Sequence, residues 1–392
     1  MNLYEHQAKR LLATYGVPVP ISEVAATVDE AGQAARRLGA KDFVVKAQIL
    51  AGDRKAAGGI RFASGVGEVE SAARALLGSQ LVTSQTGAKV AAVGSVLIEE
   101  QIRSRSLLYL AITIDPLDGT IVILSSRSGG DDIEQRAKDD THIVSRTQLR
   151  LEGPRLTGDF TAIARGLSDD PRICEGLVYM MRNLAAMFVG TDATLAEINP
   201  VAITEEGRLV ALDAKVTIDD NALHRHIELA RLKEGRVGAD PDELEAQRHQ
   251  INYLKLDGNI GCAVNGAGLA LTTLDLLTDA GGKPANFMDI RTTATSLDIA
   301  HGFGLVLSNP AVRAILVNVH GGGMQRCDTI AEGLGIALRR SGRRLPIVIR
   351  MAGNNAAFAA TVLRNNGVAY TDADDMAEAV RLIVAAVRKE AA

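Results

Sequence analysis

Asn199 and Asp213 are the side chains of this sequence best suited, by type and spacing, to holding a reactive ligand. They lie in the segment EINPVAITEEGRLVALDAK, where two apolar-rich runs flank the turn signal Glu205-Glu206-Gly207. This pattern predicts a β-hairpin. With the turn centred at residue 206, antiparallel pairing places Asn199 opposite Asp213. It also places Glu197 opposite Lys215, and the alternation of strand side chains puts all four on one face.

An amide oxygen beside a carboxylate forms a pair of hard oxygen donors. Such a pair suits Mg²⁺, which keeps several waters and takes substrate phosphates into its remaining positions. The hairpin therefore indicates a site for a nucleotide such as ATP. The alternative interpretation is a polar end of a sheet with a solvated Glu197–Lys215 pair. The hairpin alone does not decide between the two.

The bulk properties of the chain limit the other functions. A length of 392 residues predicts two or three domains. The sequence is 47% hydrophobic and 23% charged, with a formal net charge of -4 and no basic tract, so we expect no nucleic-acid partner.

The first residues, MNLYEHQAKRLLATYG, carry charges throughout, and no run of about 18 apolar residues occurs in the sequence. We therefore expect a cytoplasmic protein with no membrane partner. The three cysteines, Cys174, Cys262 and Cys327, are far apart and lack CxxC spacing, which favours buried small hydrophobic residues over a disulfide framework or a cysteine zinc site.

Two halves with different patterns are separated by a charged stretch. Residues 1–238 mix helices with antiparallel hairpins, and we interpret the Pro- and Gly-containing residues 239–250 as a connection. In residues 251–392, four apolar strands are each followed by a loop and a helix, which predicts a parallel sheet. The loops NGAG, IRTT, HGGG and AGNN then lie at the carboxyl ends of the strands, where such sheets bind ligands.

Several long stretches resemble the β subunit of the ADP-forming succinate–CoA ligase family. They include NLYEHQAKRLL, VVKAQ, EINPVAIT, LDGNIGCAVNGAGLA and RCDTIAEG, and the resemblance covers essentially the whole chain. It implies an N-terminal ATP-grasp domain of two lobes, followed by a flavodoxin-like CoA-ligase domain. The implied activity joins a carboxylic acid to CoA with conversion of ATP to ADP and phosphate.

The resemblance also implies ligands and a partner. Mg²⁺, ATP or GTP, and CoA are expected, with succinate or a related short anionic acid as the substrate. The phosphoryl group is expected to pass through a histidine of an α subunit, which also holds most of the CoA site. Ala214 and Ala352 lean toward the malate–CoA ligase branch of the family.

The resemblance assigns roles to individual positions. Asn199 and Asp213 match the metal ligands, and Glu197 matches the acid that receives the phosphorylated imidazole. The expected nucleotide-binding positions are Lys46, Asp53, Arg54, Lys55, Glu99 and Ile102. The expected acid-binding positions are Asn265, Arg291, Gly321, Gly322, Gly323, Met324 and Gln325. Without the resemblance, the VVK pattern alone favours a surface lysine at a strand end for Lys46, and the alternative for Glu99 is a solvated acid next to Glu100.

The sequence departs from the family pattern at both sites. Relatives typically read AGGRGKAGG where this chain has AGDRKAAGG, so Asp53 and Lys55 replace glycines. Leu107 stands where relatives have a glutamate. In the second half, DVGGGAT is replaced by a segment containing Arg291, and our hypothesis is that its guanidinium pairs with a distal anionic group of the substrate.

Two other classes of function remain open on the sequence alone. One is a standalone ATP-grasp ligase, which the CoA-ligase-like second half disfavours. The other is a non-catalytic nucleotide-sensing subunit, suggested by the altered residues Asp53, Lys55 and Leu107. Retention of the metal and phosphate positions disfavours this second alternative.

Overall fold

The computed structural model of the chain describes residues 1–83, 91–130, 133, 136–137, 140, 142–232, 240–249, 251–321 and 325–390. The chain divides into two compact units, residues 1–238 and 239–392. No helix within the described ranges is long and apolar enough to cross a membrane.

Unit 1 begins with helices and a small sheet and ends with a larger sheet. Its elements, in chain order, are α1 (Glu5–Thr14), β1 (Ser22–Ala25), α2 (Val28–Leu38), β2 (Asp42–Ala47), β3 (Ile60–Ser64), α3 (Gly65–Leu76), β4 (Gln80–Leu81), β5 (Ala91–Ala92), β6 (Val96–Glu100), β7 (Ser104–Ile114), β8 (Ile121–Ser126), β9 (Ser145–Gln148), β10 (Arg150–Glu152), β11 (Arg155–Thr157), α4 (Phe160–Leu167), α5 (Pro171–Gly190), β12 (Ala193–Thr204), β13 (Leu209–Ala211), β14 (Ala214–Ile218), a 3-10 turn (Asp220–Arg225) and α6 (Ile227–Arg231).

Two sheets organise this unit. The first is antiparallel and four-stranded, in the order β1-β6-β2-β3. The second runs β13-β12-β7-β8-β9, and β14 pairs with β12 beyond β13 along the same edge. Helices α2 and α3 cover the small sheet, and α1, α4 and α5 contribute to the core of the large one. Each sheet with its helices forms one α+β layer of unit 1.

Local signals explain where these helices start and stop. The Thr27 side chain accepts a hydrogen bond from the Glu30 amide at the start of α2, and Gly39 ends that helix at φ 65°. Asp170 caps α5 through the Arg172 amide, and Pro171 occupies the first turn. These caps fix the helices that cover the strands of the site.

Unit 2 is a sheet covered by helices on both faces. Its elements are α7 (Pro241–Arg248), β15 (Ile251–Lys255), β16 (Ile260–Val264), α8 (Ala267–Asp279), β17 (Asn286–Ile290), α9 (Ser296–Ser308), β18 (Ala314–Gly321), α10 (Cys327–Ser341), β19 (Ile347–Gly353), α11 (Ala356–Asn365), β20 (Thr371–Asp372) and α12 (Met376–Glu390).

The strand order of unit 2 is β15-β17-β16-β18-β19-β20, and only β15 runs antiparallel to its neighbour. The five parallel strands thus follow the flavodoxin-like order 2-1-3-4-5. The predicted alternation of strand, loop and helix is confirmed. The order reverses between β16 and β18, so the loops after these strands border the crevice where such sheets bind ligands.

Residues 239–250, interpreted from the sequence as a connection, contain α7 in their described part. Asp240 caps this helix through the Asp242 amide, and Pro241 occupies its first turn. The helix is therefore an element of unit 2, packed beside β15.

Candidate active site

The strands around Asn199 pair in the register predicted from the turn signal. Glu197 lies opposite Lys215 on β12 and β14, and Val201 lies opposite Ala211 on β12 and β13. Between these pairs, the Asn199 amide donates to the Asp213 carbonyl at 3.3 Å. The backbone geometry therefore brings the two expected metal ligands together.

One cavity of about 100 Å³ collects the side chains of this hairpin. Its lining includes Glu197, Asn199, Asp213 and Lys215. The loop after β2 supplies the other wall, and its contributions include Asp53, Arg54 and Lys55. Acidic oxygens from the hairpin thus face a loop that carries two cationic side chains, an arrangement suited to a metal–phosphate ligand.

Protein donors already contact both expected metal ligands. The Arg54 guanidinium nitrogen Nη2 lies 2.9 and 2.7 Å from the two carboxylate oxygens of Asp213, whose side chain is 29% exposed. The Asn199 Oδ1 accepts a hydrogen bond of 2.7 Å from the Gly130 amide. A ligand that uses these oxygens must share or displace these donors.

Lys46 lies at the end of β2 in a buried cluster of charges. Its ammonium contacts Glu5 at 2.8 Å and Glu99 at 2.7 Å, and it donates to the Leu212 carbonyl at 2.6 Å. Lys9 joins the same carboxylates, at 2.7 Å from Glu5 and 2.5 Å from Glu99. The interpretation of Lys46 as a surface lysine is therefore wrong.

Glu99 is also buried, because its side chain is only 2% exposed. The interpretation as a solvated acid is wrong, since Glu99 serves as a counterion of Lys9 and Lys46. Neither Lys46 nor Glu99 belongs to the lining of the cavity beside Asn199. Both side chains lie in the charge cluster around Glu5, and their expected contact with a nucleotide stays a prediction.

Glu5 connects the cluster to the cavity. Its second carboxylate oxygen lies 2.6 Å from Arg54 Nη1, and Arg54 reaches Asp213 with its other nitrogen. Burial alone would raise the pKa of the Glu5 carboxyl, but the neighbouring cations, Arg54 first among them, hold that pKa well below its ordinary value. Burial alone would lower the pKa of Lys46, and the opposed carboxylates raise it above its ordinary value instead.

Glu5 and Lys9 were missed by the sequence reasoning. They lie one turn apart on α1, inside the motif NLYEHQAKRLL that was used only to identify the family. The available signal was the pair of charges on a helix face that is otherwise apolar, because charged residues on a buried face need partners.

The loop after β2 keeps a conformation that favours glycine. Asp53, which stands where relatives have a glycine, adopts φ 56°. This left-handed region is unfavourable for residues with a Cβ, although aspartate tolerates it better than most. Lys55, the second replacement, is not among the residues of positive φ. Only one of the two departures therefore strains the backbone.

Ile102 lies at a second cleft rather than at the cavity beside Asn199. This cleft of about 400 Å³ is also lined by Val19, Glu100, Tyr179 and Leu209. Its walls combine apolar and aromatic side chains with the charged side chains of Glu100, Arg172 and Arg208. Leu107 sits on β7 opposite Ala202 of β12.

In unit 2, Asn265 lies at the point where the strand order of the sheet reverses, between β16 and β18. It follows β16 and brackets the backbone of His320, accepting from its amide at 2.8 Å and donating to its carbonyl at 2.7 Å. Gly321 ends β18 in a tight approach, because a Cβ there would lie 2.8 Å from the Asn354 amide nitrogen. Gly322, Gly323 and Met324 lie outside the described residues.

Gln325 is 2% exposed, and its Oε1 has no hydrogen-bond partner among the described residues. A buried amide oxygen without a partner costs free energy unless a ligand or water satisfies it. This atom is thus available to a bound molecule next to the loop after β18.

Arg291 belongs to a polar network that runs along this edge of the sheet. Its guanidinium donates to Asn252 Oδ1 at 3.2 and 3.0 Å, and Asn252 donates in turn to Asp289 at 3.0 Å. Asp289 accepts from the Gly266 amide at 2.6 Å, where φ of 96° requires a glycine. The network connects the exposed Arg291 to the residue after Asn265.

Comparisons with known proteins agree with this architecture. Residues 2–203 match the ATP-grasp domain family, and residues 263–384 match the CoA-ligase family. A solved structure of ATP citrate lyase from Methanothrix soehngenii, in complex with citrate and coenzyme A, shares the fold with a TM-score of 0.79 at 18% identity, covering 98% of this chain and 99% of that one.

Curated relatives match over their whole length. The succinate–CoA ligase [ADP-forming] subunit beta of Acidithiobacillus ferrooxidans is 43% identical over 395 residues, covering 99% of this chain and all of the relative. The subunit of the same name from Parvibaculum lavamentivorans is 42% identical over 393 residues, with both chains fully covered. An ATP-grasp domain followed by a CoA-ligase domain, matched end to end at this identity, shows that the chain belongs to the family of ADP-forming succinate–CoA ligase β subunits.

Proposed function

We propose that this chain is the nucleotide-binding subunit of an ADP-forming acid–CoA ligase. The reaction converts a carboxylic acid, CoA and ATP into an acyl-CoA, ADP and phosphate. The observation that carries the proposal is the meeting of Glu197, Asn199 and Asp213 with Arg54 and Lys55 around one cavity. Oxygen donors facing cations are what a magnesium nucleotide needs from a protein.

Asn199 and Asp213 fit Mg²⁺ by donor type and by sharing the cavity. Their oxygens accept hydrogen bonds from Gly130 and Arg54, so binding of the ion requires Arg54 to turn away from Asp213. When bound, Mg²⁺ neutralises phosphate charge and orients the terminal phosphoryl group.

Arg54 is the residue that changes partner in this proposal. Its guanidinium holds the Asp213 carboxylate through two short contacts, and guanidinium groups match phosphate geometry equally well. Exchange of the carboxylate for a phosphate oxygen would release Asp213 to the metal. Glu5 keeps contact with the other terminal nitrogen of Arg54, which limits how far the side chain moves.

Glu197 is proposed to receive an imidazole of the partner α subunit. It lies on the same strand as Asn199, two residues away, and lines the same cavity. A carboxylate at this position can orient a neutral imidazole and stabilise the imidazolium. The acyl phosphate and the thioester are then formed in the site shared with that partner, which also holds most of the CoA site.

For the acid, the proposal favours a short dicarboxylate bound at the reversal point of the unit 2 sheet. Asn265, the unsatisfied Gln325 Oε1 and the exposed Arg291 support this site. Succinate and malate each carry two carboxylates. Arg291 is proposed to bind the carboxylate that lies farther from the reacting one. A cytoplasmic location stays a prediction from the sequence.

The test is transfer of label from [γ-³²P]ATP to the partner subunit. The chain is purified together with its α partner, and labelling of the α histidine is measured with Mg²⁺ present. We expect labelling of the native complex and at least a 100-fold loss in Asn199→Ala and Asp213→Ala, the range known for lost electrostatic stabilisation, roughly 10²–10³. Asp118→Ala, in the exposed turn after β7, is the control and should label normally.

Unchanged labelling with alanine at position 199 or 213 would refute the role of the hairpin. Nucleotide binding without any labelling of the native complex would instead support a nucleotide-sensing subunit.

A further inference from the structure

A cluster of two imidazoles and a carboxylate lies in unit 2, where the end of α7 meets α9. Glu245 and His249 are four residues apart at the end of α7, so they share one helix face. His301 projects from α9. The potential ligand atoms of Glu245, His249 and His301 all lie within 4.8 Å of one another.

We propose that these three side chains form a binding site for Zn²⁺ or a similar late transition metal. Two imidazole nitrogens and one carboxylate oxygen are the donor set that such ions prefer, whereas Mg²⁺ and Ca²⁺ prefer oxygen alone. Donors bound tetrahedrally to Zn²⁺ lie about 3.4 Å apart, given bonds of about 2.1 Å. The ligand atoms must therefore move closer by up to about 1.4 Å.

The two imidazoles stack face to face. Their centroids are 3.7 Å apart with an interplanar angle of 9°. A metal must lie in the plane of each ring, so one ring has to rotate on binding. His301 is exposed, whereas His249 is half-buried and contacts Asp298, so the His301 ring is the one that turns.

A second carboxylate orients His249 for this role. Asp298 Oδ1 lies 3.3 Å from His249 Nδ1, and Glu245 Oε1 lies 3.2 Å from His249 Nε2. Donation from Nδ1 to Asp298 would leave Nε2 for the ion, which would replace the proton that Nε2 shares with Glu245; second carboxylates orient metal-binding histidines in this way. Asp298 is itself fixed by the Thr295 hydroxyl at 2.6 Å and by the Thr295 amide.

The second carboxylate oxygen of Glu245, Oε2, has a protein partner. Arg248 contacts Glu245 Oε2 at 3.0 Å, which leaves Oε1 for the ion. With three protein ligands, the fourth position is open to water or a small anion. The bound ion would join α7, the first helix of unit 2, to α9, which follows the loop of Arg291.

The experiment uses the full-length chain, stripped with a chelator and kept free of Mg²⁺ and nucleotide. Zinc affinity is measured by competition with a chromophoric chelator, and Co²⁺ is added separately to record the visible d–d absorption of a tetrahedral site. We expect one tight equivalent of Zn²⁺ per chain and a tetrahedral Co²⁺ spectrum.

Variants separate this site from adventitious binding. His301→Ala changes an exposed side chain and should weaken zinc binding by roughly 100-fold or more, and Asp298→Asn by roughly 10- to 100-fold. The matched control is His224→Ala, an exposed histidine of unit 1, which should leave zinc affinity unchanged. Equal zinc affinity in the native chain and in His301→Ala, or no saturable uptake by the native chain, would overturn the proposal.

Discussion

Replacement of Glu5 by glutamine is the sharpest test of the buried charge cluster. The substitution keeps the shape of the side chain but removes the negative charge that faces Lys9, Lys46 and Arg54 at 2.7, 2.8 and 2.6 Å. Glu99 remains as a counterion of the two lysines, and Asp213 remains for Arg54. The cluster therefore changes from balanced charge to one uncompensated positive charge.

The expected loss follows from burial. Breaking one partner of a buried ion pair costs about 3–5 kcal/mol, because the opposite charge stays desolvated. Glu5 is 3% exposed, so little of this loss is screened by water. Against a typical unfolding free energy of about 5–15 kcal/mol, the change should be large. Because the chain has no Trp to report unfolding by fluorescence, we propose urea titrations in which unfolding is monitored by hydrogen–deuterium exchange of peptides from β2 and β6.

The effect should depend on pH with a defined sign. The pKa of Glu5 in the folded chain is held well below 4.5, so its stabilisation is fully present above that value. This stabilisation is lost as the pH falls through the folded pKa of Glu5. Glutamine does not titrate, so the variant has no such contribution to lose. The difference between the two proteins should therefore narrow in acid.

Glu23→Gln is the control for Glu5→Gln. Glu23 pairs with Arg37 at the surface, and exposed pairs of this kind contribute little, so we expect no measurable change. A Glu5→Gln protein that is destabilised by less than about 1 kcal/mol, or by the same amount at pH 7 and in acid, would refute the reasoning.

Three further substitutions test other parts of the molecule. Asp53→Gly should stabilise the chain by roughly 0.5–1 kcal/mol in urea unfolding, because it relieves the left-handed backbone at that position, whereas Lys55→Gly should not stabilise it. Arg291→Gly should change the ranking of succinate, malate and monocarboxylates in an ADP-release assay, and an unchanged ranking would exclude the proposed anionic contact. Asn286→Ala should lower the unfolding free energy of unit 2 by roughly 1–3 kcal/mol. The buried Asn286 side chain accepts a hydrogen bond from the Cys262 amide at 3.0 Å and donates one to the Cys262 carbonyl at 2.7 Å. Hydrogen exchange rates of β16 that match those of the native chain would contradict this prediction.

The pairing of Asn199 with Asp213 was predictable because its information is local. A Gly-containing turn between two apolar runs sets the register, and Gly207 adopts the φ of 79° that such a turn uses. The parallel sheet of unit 2 was predictable for a similar reason. Each strand is followed within a few residues by its own loop and helix.

The counterions of Lys9 and Lys46 were not predictable in the same way. Glu5 is 41 positions from Lys46, and Glu99 is 90 positions from Lys9. No local pattern reports a pairing over such distances. The helix α7 is a different case. Its cap, Asp240, and the following Pro241 are signals of a helix start, but the high charge of the segment favoured its interpretation as a connection.

The contact between Arg54 and Asp213 can form only late in the synthesis of unit 1. Asp213 follows Arg54 by 159 positions, and ribosomes add about 5–20 residues per second. During synthesis Arg54 can contact Glu5 early, but it waits roughly 8–32 s for the strand that carries Asp213. The small sheet can assemble early, but the cavity beside Asn199 is completed only when the last hairpin of unit 1 has left the ribosome.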